Sequence, residues 1–393
     1  MSGRPHVCFI IPPHVLKHMT SNADAGVRDR AHQALEIAAA ARGMRQAIGP
    51  MASMMMTSPG VKRRTVYDAK QGSALPGKLV RGEGAKASTD SAVNEAYDYA
   101  GDTYDFYNTV LGRNSVDDRG MRLDSTVHYR VKFNNAFWNG TQMVYGDGDG
   151  VIFVHFTGSI DVIGHELTHG VTQFTSALIY EDQSGALNEH FSDVIGSLVK
   201  QWKKGQTAAQ ADWLIGAGLL APGVKGVALR SMKAPGTAYN DPKTLGKDPQ
   251  PANMANYMNT AQDNGGVHIN SGIPNKAFYN AAIAIGGNAW EKAGKIWYNA
   301  FAKKLQANAQ FIDAANATYE AAGELFGPGK AEQKAVGDAW KAVGVNVANQ
   351  IVMGTAMITL RAPAPTLGPT PPAGGGYVEP TRAKAASRKR PTS

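Results

Sequence analysis

A chain of 393 residues is long enough for two packed lobes with a sizeable hydrophobic core. Its net charge of +8 comes from its two ends: residues 1–64 hold nine Lys and Arg against three Asp and Glu, and residues 361–393 hold six against one. The stretch between them carries about −3, which excludes a globular body built to follow nucleic-acid phosphates. The single cysteine, Cys8, excludes an internal disulfide framework.

The sequence gives no sign of membrane insertion or of a secretory signal. No apolar run approaches the roughly 18 residues needed to cross a bilayer, and the first thirty residues lack a charged-then-apolar pattern. We therefore expect a monomer without membrane or nucleic-acid partners. Secretion without a recognisable signal peptide is the expected location, with the cytoplasm as the alternative.

The first fifty residues are predicted to form a unit of their own. Pro12 and Pro13 predict an extended opening from Phe9 to Leu16 rather than a helix, and an Ala-rich helix is predicted over about residues 24–47. Residues 51–64 are rich in Met, Ser, Pro and Gly and end in three basic residues. This composition predicts a linker that a protease can cut, and an ordinary uncut linker is the alternative.

The rest of the chain divides into a β-rich half and a helical half, so the predicted fold class is α+β. From residue 65 to about 160 strands and turns dominate, including an alternating stretch over 127–131 and a tight turn over 146–150. An EF-hand calcium loop at the turn is disfavoured because it needs a glutamate near Gly158. Helices are predicted over 161–175, 186–203, 272–285, 289–304, 309–326 and 330–343. We expect an N-terminal lobe over 65–175, a C-terminal lobe over 176–361 and a disordered, Pro-rich basic tail over 362–393.

The most informative motif runs from His165 to His169, with Glu166 between them. On a helix, residues four apart lie about 40° apart around the axis, so both imidazoles can face one metal ion. Two surface histidines are the alternative. A catalytic zinc needs a third protein ligand and one open position, and Glu189 on the next predicted helix can supply that ligand.

Two further groups of residues strengthen the metal hypothesis. A ligating histidine usually donates its other ring N–H to an acceptor, and Asp193 and Asn188 can accept from His165 and His169. Asp263 precedes His268 by five residues, with a glycine pair between them that permits a sharp turn. That arrangement suits an oriented, readily protonated imidazole.

Five motifs resemble those of thermolysin-like peptidases, in the same order along the chain. They are Asn135 to Gly140, His165 to His169, Gly185 to Asp193, Leu229 to Met232 and Asp263 to Gly272. The resemblance spans about residues 97–344 and implies a two-lobed fold with a zinc cleft between the lobes. It implies that His165, His169 and Glu189 bind zinc, the ligand set for which thermolysin is the standard example.

The activity implied by the resemblance is that of a zinc-dependent neutral endopeptidase acting on proteins or peptides. Glu166 would be the general base that takes a proton from the attacking water. His268, oriented by Asp263, and Tyr180 would donate to the oxyanion of the tetrahedral intermediate. A core aromatic side chain is the alternative for Tyr180.

The resemblance also implies a substrate-binding set. Arg230 would fork onto a substrate carbonyl, with a surface ion pair as the alternative, and Asn135 and Ala136 would pair with an extended peptide. The pocket for the residue after the cut bond would be lined by bulky apolar side chains, namely Phe153, Phe156, Val162 and Leu229. Such a pocket predicts cleavage on the amino side of bulky hydrophobic residues, although each of the four could be ordinary core.

One departure from the family concerns calcium. Thermolysin-like enzymes often hold two calcium ions in an acidic cluster, but here only Asp161 and Asp212 remain, and the matching acidic positions are Lys200, Leu214 and Ala217. Two hard cations could not be neutralised by this set. We predict no structural calcium there, with Lys200 in its place.

The opening segment, with Pro12, Pro13 and Leu16, is similar to the short prosegments of the protealysin-like branch. This implies a built-in inhibitor that lies in the substrate cleft, for which a Pro-stiffened apolar peptide is well suited. A packing arm and a transit peptide are the alternatives. Cys8 could reach the zinc as a thiolate, but a buried apolar role is favoured.

The sequence is also compatible with two other functions. Another zinc hydrolase, such as an aminopeptidase, would need an acidic group to hold the substrate amine, and no candidate is evident. A catalytically inactive, zinc-stabilised binding module with a basic tail is the alternative from a different class of protein.

Overall fold

The computed structural model describes residues 8–22, 24–48 and 61–348. Within these residues, no helix combines the length and apolar character needed to cross a membrane. Most of the predicted linker and the whole predicted basic tail lie outside the described residues.

A six-stranded sheet organises the N-terminal part of the described chain. The elements in chain order are β1 (Cys8–Phe9), α1 (Pro13–Met19), α2 (Ala25–Ile48), β2 (Arg64–Asp68), β3 (Lys78–Arg81), α3 (Ser91–Leu111), β4 (Leu123–Val127), β5 (Ala136–Trp138) and β6 (Met143–Tyr145). The strand order is β1-β5-β6-β4-β2-β3, with β2 parallel to β4, β4 parallel to β6 and the other pairs antiparallel. The opening segment of the chain therefore forms an edge of the sheet, next to β5.

Helices dominate the remainder of the described chain, joined by two short ribbons. The elements are α4 (Ile160–Gln173), α5 (Asp182–Lys204), β7 (Leu214–Ile215), β8 (Arg230–Ser231), β9 (Asn240–Asp241), β10 (Gly246–Lys247), α6 (Asp263–Asn270), α7 (Gly272–Ile285), α8 (Ala293–Lys303), α9 (Phe311–Phe326) and α10 (Ala331–Ala342). β7 pairs with β8, and β9 pairs with β10. The α+β class and all six helices predicted from residue 161 onward are confirmed, with ends within a few residues of those expected.

Two glycines allow α4 and α5 to pack with their backbones in contact. A Cβ atom at Gly196 of α5 would collide with the carbonyl oxygen of Asp161, and one at Gly164 of α4 would lie 3.2 Å from the Gly196 Cα. Because no side chain separates the two helices here, residues on their facing surfaces lie close together. His165 and Glu189 are on these helices.

The prediction of an extended segment through Leu16 was wrong. Strand β1 ends at Phe9, Pro12 still has an extended backbone, and α1 begins at Pro13. Proline is tolerated in the first turn of a helix because its missing N–H would have no partner there and its φ suits the helix. Pro12, in the extended N-cap position with φ −62° and ψ 147°, also obeys the restriction that a following proline imposes.

Helix α3 interrupts a region that was predicted to be mainly strands and turns. Its start is marked by Asp90, whose side chain accepts from the Ala92 amide, and its end by Gly112 in the left-handed region. Its buried residues follow a helical period from Ala92 through Ala96 and Ala100 to Tyr107. These signals were present in the sequence.

The predicted strand over 127–131 is also wrong beyond Val127. His128 and Arg130 have φ values of 55° and 56°, which no strand residue adopts. The His128 ring lies 2.8 Å from both Asp147 and Asp90. Asp147 belongs to the predicted tight turn over 146–150, which is confirmed by left-handed glycines at 148 and 150.

Candidate active site and metal centre

His165, His169 and Glu189 meet in the protein interior, the histidines on α4 and the glutamate on α5. Their ligand atoms all lie within 4.8 Å of one another. The two Nε2 atoms are 3.0 Å apart, and the Glu189 carboxylate oxygens lie 3.5 Å from His165 Nε2 and 3.4 Å from His169 Nε2. The helical spacing of four residues therefore brings both imidazoles to one point, as predicted.

The other ring nitrogen of each histidine has an acceptor. Asp193 Oδ1 lies 2.8 Å from His165 Nδ1, and Asn188 Oδ1 lies 2.8 Å from His169 Nδ1. With the protons on Nδ1, both Nε2 atoms present lone pairs to each other and to Glu189. Burial lowers the pKa of His169 to about 3, so this imidazole is neutral, the form that binds metals.

The donor set fits a zinc ion. Two neutral nitrogens and a carboxylate face one another, and among the described residues Glu189 Oε2 has no hydrogen-bond partner. Burial raises the pKa of Glu189, but the three surrounding histidines outweigh burial and lower it to about 2, so the group is ionised. Two imidazoles with one carboxylate are a catalytic zinc set that leaves one coordination position open.

Glu166 lies beside this centre and next to the sheet edge. It follows His165 on α4, is fully buried, and accepts a hydrogen bond at Oε2 from the Trp138 backbone N–H at 3.0 Å. Trp138 is the last residue of β5. The carboxylate is thus held between the ligand helix and the strand along which a peptide can lie.

His268 and Tyr180 both lie close to the Glu189 carboxylate. Residues 263–266 all have positive φ values between 50° and 82°, which turns the chain so that Asp263 Oδ1 lies 2.7 Å from His268 Nδ1. Burial lowers the pKa of His268, but Asp263 and Glu189 outweigh it and raise the pKa to about 9. The Tyr180 hydroxyl donates to Glu189 and lies 3.2 Å from His268 Nε2.

Arg230 forms a buried ion pair. Its Nε and Nη2 atoms donate to the two carboxylate oxygens of Asp193, each at 2.8 Å, and its Nη1 donates to the Ile10 carbonyl at 3.3 Å. The alternative of a surface ion pair is excluded by its burial. Asp193 therefore connects His165 to Arg230.

The opening segment lies along β5, and its backbone groups form hydrogen bonds with both backbone and side-chain groups. Phe9 is paired with Phe137, the Ile10 amide donates to the Ala136 carbonyl at 3.1 Å, and the Ile11 amide donates to Asn135 Oδ1 at 3.0 Å. His268 Nε2 donates to the Phe9 carbonyl at 3.2 Å. Three residues expected to bind a substrate peptide, namely Asn135, Ala136 and Arg230, form hydrogen bonds with this segment.

Phe9, Ile10 and Ile11 are all buried. Phe9 and Ile11 line a cavity of about 90 Å³ together with Tyr180 and His268. The four residues of the predicted pocket are buried too, and the Phe153 and Phe156 ring centroids are 5.8 Å apart. Val162 and Leu229 complete that set. The side chain of Cys8 is not among those described, so the favoured buried apolar role and the alternative contact with zinc both stay predictions.

Comparison with known proteins bears on both halves of the described chain. Residues 52–173 match the family described as thermolysin metallopeptidase, catalytic domain, and residues 176–345 match thermolysin metallopeptidase, alpha-helical domain. The chain is 50% identical over 354 residues to an extracellular metalloprotease of Pectobacterium carotovorum subsp. carotovorum, covering 90% of this chain and 100% of the relative. The chain belongs to the thermolysin family of metallopeptidases.

Other thermolysin-family relatives agree with the predicted branch. Protease PrtS of Photorhabdus sp. (strain Az29) is 48% identical over 352 residues, covering 86% of this chain and 92% of the relative. The solved precursor of protealysin, a metalloproteinase from Serratia proteamaculans, matches with a TM-score of 0.79 and 50% identity, covering 86% of this chain and 99% of that chain. The predicted protealysin-like branch, the zinc cofactor and the metalloendopeptidase class are thereby confirmed.

Lys200 contacts the two acidic residues that remain in the cluster where the sequence predicts no calcium. Its Nζ lies 2.9 Å from Asp161 Oδ2, 2.9 Å from Asp212 Oδ1 and 2.5 Å from the Leu214 carbonyl oxygen. Burial lowers the pKa of Lys200, but the two aspartates outweigh burial and raise it. One ammonium group thus pairs with both of the acidic residues that are left.

We expect the melting temperature of zinc-loaded protein to change by less than about 2 °C on adding millimolar calcium, because a ligand stabilises only a state that binds it. The measurement is a thermal scan with and without calcium. Lys200→Ala is the companion variant. It leaves Asp161 buried without its cation, which costs about 3–5 kcal/mol, and calcium should recover part of that loss. A rise of many degrees in the wild type would contradict the prediction.

Proposed function

We propose that this protein is the autoinhibited precursor of a monomeric zinc endopeptidase that cleaves on the amino side of bulky hydrophobic residues. The observation that supports this best is the position of the opening segment. It runs antiparallel to β5 with hydrogen bonds to Ala136, Asn135, Arg230 and His268.

The hydrogen bonds suggest a register for substrates. The Phe9 carbonyl meets His268, while the next residue, Ile10, donates to Ala136 and accepts from Arg230. The Phe9–Ile10 peptide bond therefore stands in for the bond that is cut, and the Ile10 side chain stands in for the residue after it. We infer that this side chain points toward the pocket of Phe153, Phe156, Val162 and Leu229, which favours Leu, Ile or Phe at that position.

The proposed chemistry assigns one task to each group. Zinc, held by the two histidines and Glu189, would supply Lewis-acid polarisation of the scissile carbonyl and acidify the attacking water. Glu166 would take the proton from that water and later donate one to the leaving amine. His268, kept protonated by Asp263, and Tyr180 would donate to the developing oxyanion.

Several contacts support a prosegment over about residues 1–50 that is anchored outside the cleft as well. After Ile11 the chain leaves the sheet edge at Pro12 and enters α1, where Val15, Leu16 and Met19 are buried. Farther on, Arg30 of α2 lies 3.4 Å from Asp149 Oδ2 in the 146–150 turn. Release of the prosegment thus requires these contacts to break in addition to the strand pairing of β1.

The processing site is proposed to lie before Lys62. Lys62 pairs with Asp105 at 2.6 Å, and the Arg63 carbonyl accepts from the Leu123 amide at 2.8 Å. Both residues are therefore fixed to the catalytic body. A cut on their N-terminal side, within the predicted linker over 51–64, would free the prosegment and leave these contacts intact.

The location is proposed to be extracellular. The relative from Pectobacterium is named an extracellular metalloprotease, and the two chains align over the whole of that relative. A cytoplasmic location is the alternative.

The proposal is tested by incubating the purified zinc-loaded precursor with unfolded casein and a peptide library, before and after removal of the prosegment. We expect hydrolysis only after removal, loss of activity with a chelator, and products whose new N-termini are Leu, Ile or Phe. Sequencing the processed protein should give a first residue no later than Lys62. Processed protein that binds zinc stoichiometrically but cuts nothing would instead favour the binding module.

A further inference from the structure

Four buried hydrogen bonds connect the tryptophan of a distant helix to a zinc ligand. Trp297 Nε1 of α8 donates to His190 Nε2 at 2.9 Å, and His190 Nδ1 lies 2.7 Å from Asn275 Oδ1. Asn275 Nδ2 donates to Asp193 Oδ2 at 2.9 Å, and Asp193 Oδ1 lies 2.8 Å from His165 Nδ1. All five side chains are buried.

The donor at the far end fixes the direction of the bonds from Trp297 to Asp193. An indole N–H can only donate, so His190 Nε2 is the acceptor and the proton of the neutral ring is on Nδ1. That proton is donated to Asn275 Oδ1, which turns the amide NH₂ group toward Asp193. If the amide were reversed, its oxygen would face the carboxylate, which is unfavourable in a buried site.

Asp193 is the point where this chain of bonds meets the active site. Its two oxygens accept from Asn275, from His165 and twice from Arg230. The Asp193 carboxylate therefore fixes the orientation of the His165 ring. It also fixes the orientation of the Arg230 guanidinium, which contacts the Ile10 carbonyl. Asn275 is the remaining side chain that holds the carboxylate in place.

We propose that Trp297, His190 and Asn275 are positioning residues that hold Asp193, and through it His165, in the geometry that binds zinc tightly. Trp297 and Asn275 lie outside the five motifs that indicated the family, and His190 lies within the Gly185 to Asp193 motif. The proposal rests on the role of His165 as a zinc ligand. Because outer partners of ligating histidines typically contribute 10–100-fold to metal affinity, the effect is measurable.

The neighbouring Trp340 provides a matched control. It is equally buried, its ring is stacked on that of Trp297 at 6.3 Å with an interplanar angle of 5°, and its Nε1 donates to Thr318 Oγ1 at 2.8 Å. Replacing either tryptophan with phenylalanine removes one buried indole hydrogen bond from the same core. Only the Trp297 bond leads to the zinc site.

The first experiment is a chelator competition that measures the zinc Kd of the full-length wild type, Trp297→Phe, Trp340→Phe and Asn275→Leu. We expect a Kd about 5- to 10-fold weaker for Trp297→Phe, about 10- to 100-fold weaker for Asn275→Leu, and unchanged within about twofold for Trp340→Phe. Melting of the zinc-free proteins checks that the two tryptophan variants lose similar stability.

The second experiment reads the hydrogen bonds directly. In zinc-loaded wild type labelled with ¹⁵N at histidine, the chemical shifts of the ring nitrogens should show that His190 is protonated on Nδ1. Trp297→Phe should change these shifts, and Trp340→Phe should leave them unchanged. A His190 protonated on Nε2, or equal zinc Kd changes in the two tryptophan variants, overturns the proposal. A wild type that binds no zinc overturns the assignment of His165 on which it rests.

Discussion

Replacing Glu166 with alanine is expected to lower kcat for peptide hydrolysis by about 10³- to 10⁴-fold, the upper part of the range for loss of a general base. The carboxylate lies next to His165 and is oriented by the Trp138 backbone N–H, beside the strand that binds the peptide. No other acidic residue is assigned to take the proton from water. The measurement is kcat on a quenched fluorescent peptide, using processed enzyme.

Zinc content and peptide affinity separate this role from a structural one. Glu166 is not in the ligand set of His165, His169 and Glu189, so Glu166→Ala should bind one zinc per chain, with KM changed little. Glu166→Gln is the matched control, because its amide oxygen can still accept from Trp138 while the side chain cannot act as a base. Activity of Glu166→Gln within tenfold of wild type would rule out the proposed mechanism.

The zinc site could be predicted from the sequence because its geometry is mostly local. His165 and His169 are held one turn apart by helix geometry alone, and Asn188 and Asp193 follow from their spacing around Glu189 on one helix. Bringing the two helices together depends on the Gly164–Gly196 contact. That contact has no local signature, and the family resemblance implied only the ligand set and the two-lobed fold.

Contacts between residues distant in sequence could not be predicted in this way. Trp297 lies 107 residues from His190 along the chain, so no spacing rule links them. The hydrogen bond between His14 and Tyr239 spans 225 residues. By contrast, the start of α1 at Pro13 is predictable from the rule that proline suits the first turn of a helix. The expectation of an extended segment fails because it treats the proline pair as a barrier to any helix.

Docking of the prosegment is expected to weaken as the pH falls from 7.5 to 5, because His14 is docked in a form that resists protonation. His14 Nε2 lies 2.9 Å from the Tyr239 hydroxyl, and its buried Nδ1 has no hydrogen-bond partner among the described residues. Burial lowers the pKa of His14 to about 4, helped by nearby Arg230 and His268 and opposed by Asp263. A free prosegment would carry His14 with an ordinary pKa of about 6.5.

The direction in which pH changes docking follows from this difference in the pKa of His14. Above pH 6.5 both states are neutral at His14 and docking is at full strength. Below it the released segment takes up a proton that the docked segment refuses, so docking weakens until the pH falls through about 4. By pH 5 the loss is about 1 to 2 kcal/mol, or roughly 5- to 30-fold in the docking equilibrium, after allowance for the partial exposure of the ring.

Hydrogen exchange of the Ile10 and Ile11 amides reports docking directly, since these groups donate to Ala136 and Asn135. We expect their protection in a Glu166→Ala precursor, corrected for the intrinsic pH dependence, to fall between pH 7.5 and 5. His14→Gln can still bond to Tyr239 but takes up no proton, so its protection should stay nearly constant. Acid also protonates the zinc ligands, but that affects both proteins alike. Equal changes of protection with pH in the two proteins would therefore show that acid acts on the cleft rather than on His14. A change that is lost in the glutamine variant would assign the pH sensitivity to His14, whose buried Nδ1 has no hydrogen-bond partner among the described residues.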